Sequence, residues 1–233
     1  MTGAAAGIGR AIAEALAAED AEVVLADVDA DAGERAAREL GGGFVRADVL
    51  ADDDLRRLIG STEALAVLVN NAGGAPVPHY PQAPPEHWGR TLDLNLRSVM
   101  VATQLALEAM ADGGAIVNVA SMAGYGLFPH RAPEYAAAKA GIMRLTGALS
   151  PLAAERGVRV NCICPDWVDT PAVACSLAEM SEEERAQVPE LVPAEEIASL
   201  VLDLVRDESL AGRVMIRPAD GPAMSMPVEG PCG

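Results

Sequence analysis

Lysine is almost absent from this sequence: of 17 basic residues, all but Lys139 are arginine. Aromatic side chains are nearly as scarce, at 2 Trp, 3 Tyr and 2 Phe in 233 residues. The cysteines Cys162, Cys164, Cys175 and Cys232 are too few and too clustered for a disulfide framework, which points to a reducing, cytoplasmic setting. His79, His87 and His130 show no ligand spacing. Cys162 and Cys164 share a strand face, but no second pair completes a zinc site, so no metal is expected. No apolar stretch reaches the roughly 20 residues that cross a bilayer. No basic start leads into an apolar run, so neither a membrane nor export is expected. Positive charge is also in deficit, and 17 basic against 34 acidic residues leave a net −17. Such a surface repels phosphate backbones, which excludes nucleic acid as the expected partner.

What is present is an alanine-rich chain, 51% hydrophobic, long enough to bury one full core. Residues 1–233 read as a single domain. Short apolar runs at 22–26, 44–49, 65–69, 115–120, 158–163 and 213–216 alternate with helical patterns at 8–19, 30–40, 52–58, 85–110, 133–155 and 193–206. Continuously apolar strands are buried on both faces. Their alternation with helices predicts an α/β, doubly wound, mostly parallel sheet of the Rossmann-like kind, with ligands beyond the carboxyl ends of the strands. Residues 169–190 read as a flexible substrate loop, with a short capped helix starting at Ser181. Residues 222–233, rich in proline and glycine, read as an irregular tail.

The chain opens Thr2-Gly3-Ala4-Ala5-Ala6-Gly7-Ile8-Gly9 and runs into an alanine-rich helix. Glycines allow close backbone approach to a phosphate at a helix N-terminus. The next strand ends at Asp27, where a dinucleotide fold places an acid on the adenosine ribose. A carboxylate there repels a 2′-phosphate, and neither Val28-Asp29 nor Ala4–Ala6 supplies a cation, so NAD is favoured over NADP. The alternative is that Asp27 only caps the next helix.

Tyr135 and Lys139 stand four apart on one helix face. In a chain that otherwise uses arginine, a retained lysine suggests a need for a compact ammonium. A tyrosine acting as a base near neutral pH needs its pKa lowered by about 2–3 units, which a nearby ammonium and a cationic nicotinamide can supply.

These motifs, in this order, resemble the short-chain dehydrogenase/reductase family nearly end to end. Thr2-Gly3-x-x-x-Gly7-x-Gly9 resembles its cofactor loop, Asp48-Val49 its adenine-contacting pair, and Asn70-Asn71-Ala72-Gly73 the motif bordering the cofactor. Asn95, Ser121, Tyr135 and Lys139 match its catalytic tetrad, and the segment from Asn161 through Pro165 to Thr170 resembles the stretch over the nicotinamide. The resemblance implies that Tyr135 takes the alcohol proton as hydride leaves for the nicotinamide, and that Ser121 holds the substrate oxygen. Lys139 would bind the ribose and lower the tyrosine pKa. Asn95 would hold a water relaying protons from Lys139, and Thr170 would contact the carboxamide. It further implies a small-molecule alcohol or ketone substrate. A homodimer or homotetramer is implied too, paired through the helices at 85–110 and 133–155. The substrate wall would include Met122, Tyr125, Leu127, Phe128, Trp167, Val173 and Leu177.

The sequence also departs from the family. Only Met1 precedes Thr2, where the family has a central apolar strand, and the expectation is a misassigned or truncated start. Asp166 follows Pro165 where the family usually has glycine, and a carboxylate there could crowd the nicotinamide. Pro151 should kink the fifth helix, and the span from Asp48 to Asn70 is short, so its helix should be reduced. Two alternatives stay open: an NADP-dependent 3-oxoacyl carrier-protein reductase, which Asp27 and the negative charge disfavour, and a catalytically idle dinucleotide-binding protein.

Overall fold

Nearly continuous burial marks the central strands of the sheet. In the computed structural model, which describes residues 1–226, the strands are β1 (Val24–Asp27), β2 (Gly43–Arg46), β3 (Val67–Asn70), β4 (Gly114–Val119), β5 (Val158–Pro165), β6 (Val214–Arg217) and β7 (Met224–Met226). The helices are α1 (Gly7–Ala17), α2 (Ala30–Leu40), α3 (Asp52–Ile59), α4 (Pro85–Leu92), α5 (Ser98–Ala109), α6 (Pro133–Ala148), α7 (Leu152–Arg156), α8 (Pro171–Ala178), α9 (Glu182–Arg185) and α10 (Ala194–Arg206). On one sheet face Val69, Val117 and Ile163 pack with Ile12 and Leu16 of α1 and Ile197, Val201 and Leu204 of α10. On the other, Leu68, Ile116 and Val160 pack with Leu55 and Ile59 of α3 and Ala102 and Ala106 of α5. Neighbours in sequence thus serve opposite layers, the two-residue period of a strand buried on both sides. Each such Leu or Ile removed from water contributes about 1.5–3 kcal/mol. The expected doubly wound, mostly parallel single domain is what forms.

Strands β3-β4-β5-β6 run parallel and in order, with β7 antiparallel at the edge. Strands β1 and β2 form a separate parallel pair. Met1 and Thr2 join the two sheets. The Met1 carbonyl accepts from Ala26 N–H at 2.8 Å, and Thr2 N–H donates to the Val69 carbonyl at 3.1 Å. Beyond this clasp β1 and β3 face each other across an apolar slot of about 280 Å³, lined by Leu16, Val23, Leu58, Leu65 and Leu68 among others.

Four expectations need adjustment. The helix at 85–110 is not uniform: a π-helical turn, Asp93–Arg97, separates α4 from α5. The helix at 133–155 is two helices, because Pro151 cannot donate within a continuing helix and instead opens α7. Residues 169–190 are not wholly loop-like, since α8 and α9 lie within them. A Val168–Val192 bridge ties the segment's two ends together. The tail is irregular only in part, because Met224–Met226 pairs with β6; residues 227–233 lie outside the described residues. Other expectations hold. Helix α3 is short, and Ser181 forms a reciprocal capping box with Glu184. Among the described residues no helix is long and apolar enough to cross a membrane.

Candidate active site

The glycine loop turns into α1 where β1 and β3 end. Ala6 caps α1 without a side-chain hydrogen bond, so the first-turn N–H groups have no side-chain acceptor, the arrangement that receives a phosphate. Gly9 holds helix to loop, because a Cβ there would lie 2.0 Å from the Gly3 carbonyl oxygen. The Asn71 amide donates to that oxygen at 2.8 Å and to the Thr2 carbonyl at 3.1 Å. Thr2 Oγ1 accepts from the N–H groups of Asn71 and Ala72 at 3.0 and 3.1 Å. Asp27 closes the turn, its carboxylate accepting from Ala5 and Asp29 N–H at 3.0 and 3.1 Å.

Gly3, Gly7, Ile8, Asp27, Asn71, Ala72 and Gly73 line a cleft of about 390 Å³ that also takes in Ser121, Tyr135, Lys139, Pro165 and Thr170. An uncapped helix N-terminus lies beside Asp27, whose carboxylate accepts from Ala5 N–H just ahead of that helix, and the pair suits the phosphate and ribose of a dinucleotide. Four expected residues are not on its wall. Gly9 packs behind the loop. Asn95 is fully buried, Val49 sits in the core, and the Asp48 carboxylate accepts from Leu50 N–H at 3.0 Å.

Ser121, Tyr135 and Lys139 come together from the end of the β4 run and from α6. Ser121 follows β4 and caps a short 3-10 turn, Met122–Gly124, accepting from Ala123 N–H at 3.2 Å. Tyr135 and Lys139 lie in the first two turns of α6. Lys139 is buried, donates to the Val119 carbonyl at 2.9 Å, and places Nζ 5.5 Å from the centre of the Tyr135 ring. Burial pulls the ammonium pKa down to about 8, against an upward pull from Cys162 and Cys164 beneath it. Burial pushes the Tyr135 phenol above its usual value, and a hydrogen bond with Ser121 draws it back down. The protein by itself therefore does not lower the phenol as the sequence reading expects of Lys139. Desolvation is the largest cause of the rise, and Cys164 adds to it.

Asn95 occupies the π-helical turn, where its amide donates to the carbonyls of Gly74 and Thr91 at 2.7 and 2.9 Å and accepts from Gly74 N–H at 3.0 Å. A side chain at Gly73 would meet Asn95 Oδ1 at 2.6 Å and Lys139 Nζ at 3.2 Å. Only glycine lets these two groups approach the same spot of backbone.

A second cavity of about 360 Å³ shares Ser121 and Tyr135 with the first. Of the expected substrate wall, Met122, Phe128, Trp167 and Val173 line it, while Tyr125, Leu127 and Leu177 do not. Tyr125 packs into the core instead, and Leu127 is fully exposed. Asp166 lines both cavities, and its carboxylate accepts from Ala219 N–H at 3.2 Å.

Sequence reasoning missed three features. His130 stacks on Tyr135 with ring centres 6.2 Å apart. Arg131 lines the second cavity. Glu134 is buried and accepts from Tyr80 N–H at 3.3 Å, with His79 Nδ1 at 3.0 Å, tying the loop after β3 to the turn that carries Tyr135. The only signal for these was proximity to Tyr135 in sequence.

A parallel sheet with a glycine-rich helix start and a Ser–Tyr–Lys cluster defines a dinucleotide-binding oxidoreductase fold. Comparison with known proteins agrees. A family profile described as enoyl-(acyl carrier protein) reductase matches residues 3–215. The chain is 38% identical to cis-4-hydroxycyclohexanecarboxylate dehydrogenase of Sinomonas cyclohexanicum, over 89% of this chain and 88% of that protein. It is 33% identical to mouse 15-hydroxyprostaglandin dehydrogenase [NAD(+)], over 92% of this chain and 87% of that protein. A solved short-chain type dehydrogenase/reductase from Mycobacterium marinum superposes with a TM-score of 0.84 at 30% identity, covering 93% of this chain and 91% of that one. The chain belongs to the short-chain dehydrogenase/reductase family.

Proposed function

We propose that this protein is an NAD-dependent oxidoreductase that interconverts a secondary alcohol and a ketone. The observation that carries the reading is the convergence of Ser121, Tyr135 and Lys139 on the cleft that the glycine loop and Asp27 also line. Bound NAD would supply the acceptor for the hydride of the carbinol carbon. The first-turn N–H groups of α1 would hold its phosphates, Asp27 the adenosine ribose, Lys139 the nicotinamide ribose, and Thr170 the carboxamide. Ser121 would orient the substrate oxygen. Tyr135 would take the hydroxyl proton in oxidation and return it in reduction, and the positive charge beside it would favour the phenolate. Asn95 would position the Gly74 backbone beside Lys139 and hold a relay water.

Asp27 supports NAD over NADP, since a carboxylate at the ribose repels a 2′-phosphate. The NAD named for the mouse relative supports the same choice. Segment 169–190 would close over the substrate. The family's habit supports a homodimer or homotetramer, which light scattering would read directly. Titrating NAD and NADP by intrinsic fluorescence, then screening secondary alcohols for reduced-cofactor absorbance, tests the reading. Binding without turnover of any alcohol would favour the idle dinucleotide-binding alternative.

A further inference from the structure

We propose that the substrate is a hydroxy acid with an apolar body, and that Arg131 pairs with its carboxylate. This inference rests on the alcohol–ketone reading and adds the class of alcohol. The second cavity has Ser121 and Tyr135 at its reactive end and Met122, Phe128 and Val173 along its wall. Among the described residues Arg131 is the single arginine lining either cavity, and it is exposed.

Its charge acts on Glu184 through space, helping to hold that carboxyl low. Among the described residues no carboxylate lies within the 4.0 Å of an ion pair. The two acids that could compete are held by other groups. Asp166 accepts from Ala219 N–H, and Glu184 accepts from Ser181 N–H and O–H at 2.8 and 2.9 Å.

The electrostatic setting makes that arginine consequential. A chain of net charge −17 repels anions. An anionic substrate therefore needs a local cation, and guanidinium is the side chain whose planar fork matches a carboxylate. The cavity wall is mixed, since Asp166, His130 and Ser176 line it beside the apolar residues, and Arg131 supplies its guanidinium. His130, stacked on Tyr135, lines the same wall. Its Nδ1 is engaged with the backbone of Ala132 at 3.1 Å, whereas Arg131 is a permanently charged fork on this wall.

The test compares cis-4-hydroxycyclohexanecarboxylate with its methyl ester, with NAD and the full chain. The expected result is a kcat/KM for the acid about tenfold or more above that for the ester, carried by KM. Arg131→Gln should bring the acid-to-ester ratio close to one, and Arg131→Lys, which keeps a point charge, should restore part of it. Raising salt should narrow the wild-type ratio. Equal use of acid and ester, or a ratio that Arg131→Gln leaves in place, overturns the inference. Oxidation of neutral secondary alcohols but of neither test compound overturns it too, while the oxidoreductase reading stands. No oxidation of any alcohol by protein that binds NAD sinks both.

Discussion

Lys139 Nζ and the Tyr135 ring sit 5.5 Å apart, one helical turn removed on α6, with the ammonium hydrogen-bonded to the Val119 carbonyl rather than to the phenol. Burial draws the lysine pKa to about 8, which leaves part of the population neutral in mildly alkaline solution.

The buried ammonium should show in stability against pH. The folded pKa of Lys139, about 8, lies below the unfolded value of 10.5. Between those values the unfolded chain holds a proton that the folded chain has released, so stability contributed by this group rises with pH. The penalty is fully present below pH 8 and is relieved towards pH 10.5. Urea titrations of wild type and Lys139→Met should diverge across this window by about 3 kcal/mol. Parallel curves would place the ammonium in water instead.

Asp27 should set cofactor choice. Asp27→Ser removes the carboxylate that would repel a 2′-phosphate, and the ratio of Kd for NADP to that for NAD should fall about tenfold or more. Isothermal titration with each nucleotide reads this directly. An unaltered ratio would move ribose recognition to another residue.

Asn95 satisfies three backbone groups of Gly74 and Thr91 inside the fold. Asn95→Ala strands them and should lower unfolding free energy by about 2–4 kcal/mol. A loss under 1 kcal/mol in denaturant titrations would show that the π-helical turn re-forms without it.

Glu134 fastens the loop after β3 through His79 and Tyr80. Burial pushes its carboxyl up, but hydrogen bonds from its own backbone, His79 and Tyr80 hold it below the usual range. Glu134→Ala should cost about 1–3 kcal/mol and speed hydrogen exchange in residues 75–83. Protection equal to wild type would mean the loop is held elsewhere.

Most of the architecture was legible because strand and helix periods differ so clearly. Leu68 and Val69, or Ile116 and Val117, are adjacent apolar residues that serve opposite layers, and such runs announce a doubly covered sheet. The Ser121, Tyr135 and Lys139 cluster was legible because Tyr135 and Lys139 are local neighbours and Ser121 ends an apolar run. Long-range polar contacts were not. Nothing in the sequence pairs Glu134 with His79, 55 positions away, or Asp166 with Ala219. Those contacts depend on loops whose paths follow from packing. The sense of the tyrosine shift was also hidden, because desolvation depends on how much protein surrounds a group.

The central claim is that the Tyr135 oxygen moves the substrate proton. Single-turnover measurement of reduced-nicotinamide absorbance, with NAD and an oxidisable alcohol, compares wild type with Tyr135→Phe after fluorescence titration has shown that both bind NAD alike. The account predicts a rate about 10²–10⁴ lower in the variant. A Tyr135→Phe protein that reduces NAD at the wild-type rate would contradict it.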